Sequence, residues 1–272
     1  MYRDWSFHGG MPETGFNPYW YKSQVDRWGW QNCYIENMPE EMKKHPLIDD
    51  YWRDKMPDLT KIAMPMYVCA SWSTQGLHTR GTLEGFKQAN AKYKWLEIHG
   101  RKEWETYYSR EALERQRRFF DYFLKGIEND WMDTPKVRVE VRERFYDGVT
   151  RFENEWPIER TQYTKLFLDA NSVTLSTQPA TTESNISYEA LGKDGDAYGP
   201  QFKITFNRDT ELTGHMKLKL WVCADGSDDM DLFVGVKKLD RRGKEVFFPD
   251  LNHIEHGHVA TGWLRVSHRE LD

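Results

Sequence analysis

Two histidines stand where an apolar run gives way to a polar turn. His99 closes "KWLEIHG", and His78 lies in "WSTQGLHTRG", directly after the run "MPMYVCAS". An imidazole at a strand end can take and return a proton near neutral pH when a carboxylate orients it. Glu103 and Glu105 follow His99 and could serve if the loop between them folds back. The competing assignment is structural, with both rings hydrogen-bonded to loop backbone. A matching nucleophile is missing, because G-x-S-x-G, the pattern of a serine on a strained strand-to-helix turn, occurs nowhere in the sequence.

Two other clusters invite a metal. His253, His256 and His258 fall together in "NHIEHGH", and the i, i+2 spacing of the last two suits a strand. No further ligand of the usual kind is evident beside them. Asp225, Asp228, Asp229 and Asp231 in "ADGSDDMD" look like a calcium loop but lack its glycine at position six and its glutamate at position twelve. Both clusters are read as structural, so no metal and no cofactor is expected.

The elements that must position these residues fall into three segments. Residues 1–57 are rich in Trp, Tyr, Pro and Gly without sustained periodicity, which predicts short helices and loops, as in a lid. In 58–132, "MPMYVCAS" and "KWLEIHG" read as short buried strands of a parallel sheet, with "RGTLEGFKQANA" as a helix between them. "SREALERQRRFFDYFLKGI" is an amphipathic helix with Leu113, Phe120, Phe123 and Leu124 on one stripe, Ser109 as its cap and Gly126 at its end. In 133–272 the period changes to two: "KVRVEVRER", "TKLFLDA", "QFKITFN", "MKLKLWVCAD" and "MDLFVGVKKLD" predict an all-β domain of sandwich or jelly-roll type. A polar loop is expected from Asn171 to Gly199.

Composition narrows the function. A net charge of −5 with interleaved signs gives no pull toward nucleic acid. No stretch approaches a membrane span of about twenty apolar residues, and the N-terminus lacks a signal-peptide pattern, so a soluble, cytoplasmic protein is expected. Cys33, Cys69 and Cys223, odd in number and far apart, read as buried thiols. Twelve tryptophans allow either a ring-lined pocket or aromatic packing between domains.

The order of these stretches resembles the cocaine esterase and X-Pro dipeptidyl-peptidase family of hydrolases, CocE/NonD. The matching stretches are "YRDWSFHGGMPE", "MPMYVCASWSTQGLHTRGTLEGF", "KWLEIHGRKEW", "RRFFDYFLKG" and "GWLRVSHRELD". The resemblance implies the C-terminal part of an α/β-hydrolase domain with a helical lid, followed by a jelly-roll domain. It further implies a catalytic acid after the first strand, as in G-W-Y-D, and a histidine after the second, as in G-P-W-x-H. Laid on these patterns, the acid position holds Thr74 and the histidine position Lys102 or Glu103, so neither expected residue is present. The candidates that remain are His78, His99 and Glu103, and the resemblance makes Trp72, Trp104, Tyr107 and Tyr108 contributors to a substrate pocket.

By the same resemblance Met1 falls at the lid and Asp272 midway through the β domain, so the chain reads as a fragment cut at both ends, with open sheet edges and little stability alone. Two functions follow. One is a serine hydrolase of small-molecule esters or X-Pro dipeptidyl amides working through an acyl-serine, here without its nucleophile. The other is a non-catalytic relative that binds a ligand or partner through its aromatic cleft and β domain.

Overall fold

The computed structural model describes residues 2–29, 35–190, 199–251 and 254–270. Cys33 and His253 lie outside these described residues. The chain divides into two compact units, Met1–Trp156 with Leu218–Asp272, and Pro157–Lys217.

The larger unit opens with a short hairpin, β1 (Phe7–His8) and β2 (Met11–Pro12), followed by the helices α1 (Phe16–Trp28), α2 (Met38–Lys44) and α3 (Asp50–Asp54). This is the segment expected to form short helices and loops. Asn37 and Asp49 start α2 and α3 by accepting the Glu40 and Trp52 amides, which satisfies donors that a helix start leaves free. Tyr2, Phe7, Met42 and Trp52 form the core of this segment.

The central layer is a four-stranded sheet. Its elements are β3 (Met66–Ser71), α4 (Thr79–Gln88), β4 (Lys94–His99), α5 (Glu103–Tyr107), α6 (Arg110–Lys125), β5 (Val137–Arg144) and β6 (Asp147–Glu153). The strand order is β3-β4-β5-β6, with the first three parallel and β6 antiparallel to β5. The strand expected to open a separate β domain, "KVRVEVRER", thus continues the parallel sheet. One set of its side chains, Val137 and Val139, is fully buried. The other set is charged but also engaged, since Arg138 reaches Glu97 on β4 at 2.6 Å.

Helix α6 ends as the sequence predicts: Ser109 Oγ accepts the Ala112 amide at 3.3 Å, and Gly126 takes a left-handed φ of 66°. Its buried stripe differs from the expectation. Phe119 packs with Trp95 of β4 and Trp131, and Phe123 lies against the same cluster. These two indoles draw the phenylalanines inward, and the helix is rotated so that Leu113, Phe120 and Leu124 face outward.

Elsewhere the alternating pattern is only partly realised. In the smaller unit β7 (Phe167–Asp169) pairs with β8 (Thr174–Ser176), the latter inside the stretch expected to be loop. In the larger unit β9 (Asp231–Val236), β10 (Lys238–Leu239), β11 (Glu245–Val246) and β12 (Ala260–Arg265) form two antiparallel pairs, β9 with β12 and β10 with β11. "QFKITFN" makes only a bridge between Lys203 and Thr174, and "MKLKLWVCAD" forms no strand. Alternation shows that a segment has two faces, but a strand also needs a neighbouring backbone to bond along its length, and among the described residues the first of these segments meets one only at Lys203. No helix of the described residues is long and apolar enough to cross a membrane.

The polar face of the central sheet is held by Glu97. Arg115 of α6 binds its carboxylate through two nitrogens at 2.7 and 2.9 Å, Arg138 binds it from β5, and the Tyr67 hydroxyl donates to it from β3. Burial pushes this carboxyl up, but the Tyr67 hydroxyl and the two guanidinium groups outweigh it and hold the group below the usual carboxylate range. Glu97→Ala strands two half-buried cations and is expected to cost about 3–5 kcal/mol in urea unfolding. The Glu97 contribution is present above the ordinary carboxylate range and is lost as pH falls through its lowered pKa. Acidification should therefore narrow the gap between wild type and variant.

Candidate functional site

Open parallel sheets bind ligands at the carboxyl ends of their strands, and here the ends of β3 and β4 coincide beside the middle of β5. Ser71 and His99 are paired residues at the ends of β3 and β4. Ile98 pairs with Val139, so Glu140, the next residue of β5, stands beside His99. Side chains at matching positions of parallel strands share a face, which puts Ser71, His99 and Glu140 in one row. They are 2%, 5% and 9% exposed.

His99 is the distinctive member. Its Nδ1 is buried and has no hydrogen-bond partner among the described residues. Burial lowers the pKa of the ring, because an imidazolium loses its hydration there. Glu97, Glu140 and a hydrogen bond to the Arg101 carbonyl offset this only in part. The ring is therefore neutral at neutral pH, and its Nδ1 makes no hydrogen bond among the described residues.

The turns around it are locked. Ser71 Oγ donates to the Arg101 carbonyl at 2.6 Å and lies 2.8 Å from Ser73 Oγ, so its proton is directed at a carbonyl rather than at His99. Thr74, at the family's acid position, uses its hydroxyl within the same turn, 3.4 Å from the Ser71 carbonyl and 3.2 Å from Thr79 Oγ1. Lys102, one of the two residues that could fall at the family's histidine position, donates to the carbonyls of Asp250 at 2.5 Å and Ile254 at 2.8 Å and so ties these residues to the turn after β4. Glu103 opens α5, and Glu105 accepts the Tyr146 hydroxyl at 2.6 Å, so neither is bonded to His99. His78 lies at the start of α4, where its amide donates to the Thr74 carbonyl at 2.8 Å.

The four aromatic residues expected to line a pocket separate into two places. Trp72 donates its indole N–H to the Glu140 carbonyl at 2.9 Å and packs against Trp156. Trp104, Tyr107 and Tyr108 form an exposed cluster on and just after α5, with Trp104 and Tyr108 stacked. A cavity of about 270 Å³ beneath it is lined by Tyr67, Cys69, Tyr107, Gln116, Phe119 and Phe120. Burial, reinforced by Glu97, pushes the Cys69 thiol up to about 12, which leaves it protonated and unreactive.

The metal-like clusters have protein partners. His258 Nδ1 is 2.7 Å from Glu245, whereas His256 packs edge-on to Phe247. Asp231 takes both Arg265 nitrogens, and Asp229 accepts the Ser267 amide and hydroxyl. Sequence reasoning missed Glu140, whose charge in an alternating run looks solvent-facing. It also missed Gln75, whose side-chain amide bonds the Val259 carbonyl and the Thr261 amide, both at 2.9 Å, like a strand pair.

Comparison with known proteins gives this mixed helix and sheet architecture a family. Residues 129–272, just over half of the chain, match the X-Pro dipeptidyl-peptidase C-terminal non-catalytic domain. Two crystal structures of a CocE/NonD family hydrolase from Staphylococcus aureus, SACOL2612, are 53% identical over the whole of this chain with a TM-score of 0.95. The chain belongs to the CocE/NonD family. It covers 49% and 48% of those two chains, about half of their length. No curated protein matches it.

Two outcomes follow from the locked site. As pH falls through the ordinary imidazole range, about 6.5, the unfolded chain binds a proton that folded His99 does not, so stability is lost. His99→Gln should flatten the fall in urea midpoint between about pH 7 and 5 relative to wild type. Lys102→Met should speed amide hydrogen exchange at Asp250, Leu251 and Ile254 while β4 stays protected, and equal exchange in both proteins would refute the tether.

Proposed function

We propose that this chain forms the proton-transfer side of a serine hydrolase that cleaves small-molecule esters or X-Pro dipeptidyl amides, with His99 as the general base. The carrying observation is the buried, neutral His99 with an unpartnered Nδ1 at the end of β4. The nucleophilic serine is assigned to a part of the whole hydrolase other than these residues, which contain no G-x-S-x-G elbow. In the reaction, His99 takes the serine proton as the hydroxyl oxygen attacks the carbonyl carbon, then passes it to the departing alcohol or amine. Water reverses the sequence and frees the acid. The helical segment fits a lid, the Trp104–Tyr108 cluster fits an apolar wall of the substrate site, and the C-terminal strands fit part of a jelly roll.

A second reading has an observation of its own. Thr74, at the family's acid position, and Lys102, one of the two residues that could fall at its histidine position, are committed to structural bonds. That pattern suits a non-catalytic relative that retains the fold for binding. A fluorophosphonate probe on the whole protein separates the two. Labelling with ester turnover that falls about 10²–10⁴-fold in His99→Gln supports the hydrolase. Absence of both labelling and turnover overturns it in favour of the binder.

A further inference from the structure

We propose that Glu140 is the carboxylate that positions His99 and balances its charge, supplied from β5 rather than from the turn after β3. This rests on the reading of His99 as the general base. Two carboxylates share the face of His99, Glu97 on its own strand and Glu140 on the next. Glu97 is fully engaged by Tyr67, Arg115 and Arg138. Glu140 makes no hydrogen bond to a cation: Oε2 accepts the Gly100 amide at 3.0 Å, Arg101 Nε forms only a long ion pair with Oε1 at 3.8 Å, and Arg142 acts on it through its charge.

Glu140 is also held against the right part of the chain. The amide it accepts belongs to the residue after His99, and its own carbonyl receives the Trp72 indole N–H. Gly100 permits this approach, since a Cβ there would stand 2.7 Å from Arg142 Cγ and 3.1 Å from Glu140 Oε1. When the serine proton reaches His99, the charges around the imidazolium are Glu97 from β4, Arg138, Glu140 and Arg142 from β5, Arg115 from α6 and Arg101 from the turn. Glu97 is hydrogen-bonded to Arg115 and Arg138, whereas Glu140 is balanced by Arg101 and Arg142 only at longer range, so its negative charge is the one available to the ring. Its role is to favour the charged ring.

Glu140→Gln tests this in the whole protein, because glutamine keeps an oxygen to accept the Gly100 amide and removes only the charge. The expected result is a fall in kcat of about 10²-fold with KM changed less than about twofold. Loss of a negative charge lowers the imidazole pKa, so the acid limb of kcat/KM should move to lower pH, with partial recovery of kcat in Glu140→Asp. The His99 ring resonances, which need no substrate, should titrate at lower pH in the Glu140→Gln chain than in wild type. An unchanged titration midpoint overturns the proposal. If His99→Gln is inactive while Glu140→Gln matches wild type, the base stands and Glu140 falls. If His99→Gln keeps wild-type activity, the reading of the base itself fails.

Discussion

The register of three parallel strands is the constraint on which the site depends. β3, β4 and β5 pair so that Ser71 and His99, at two strand ends, stand level with Glu140 in the middle of β5. Backbone hydrogen bonds fix that register, and a slip of one residue in any strand would turn its member to the opposite face. The row is therefore as rigid as the sheet. The Glu97 network lies beneath it on the same face and joins β3, β4, β5 and α6 through one buried carboxylate.

Charge distribution on this face separates support from chemistry. Glu97 has more donors than a carboxylate needs, and its lowered pKa reflects a structural ion network. His99, one pleat further along, is buried without a partner for Nδ1, and its lowered pKa reflects desolvation. An unpaired buried nitrogen lowers stability, and His99 shares this state with other buried side-chain atoms such as Trp131 Nε1 and Ser6 Oγ. Thr74 and Lys102 serve as ties, Thr74 within its turn and Lys102 to Asp250 and Ile254.

Much of the scaffold was legible in the sequence because the local signals were complete. β3 and β4 are short apolar runs with turn residues after them, and α6 carries both its Ser109 cap and its Gly126 stop. The assignment of β5 to the sheet was not legible. Its Arg138 and Glu140 alternate with valines, which reads as one wet and one dry face, and only the partners on β4 and in the following turn reveal that both faces are covered. The α6 stripe misled for a similar reason, since Leu113 and Phe120 have the right period but the two indoles select Phe119. Of the site, His99 was visible as a histidine at a strand end, whereas Glu140 could be found only through pairing across strands.

The most direct test of the account is a crystal structure of the whole hydrolase trapped with a phosphonate ester on its reactive serine. The account places the His99 imidazole within hydrogen-bond reach, about 3 Å, of the phosphonylated serine oxygen or the leaving-group position. A serine adduct served by another histidine, with His99 still buried against the sheet and out of reach, would contradict it.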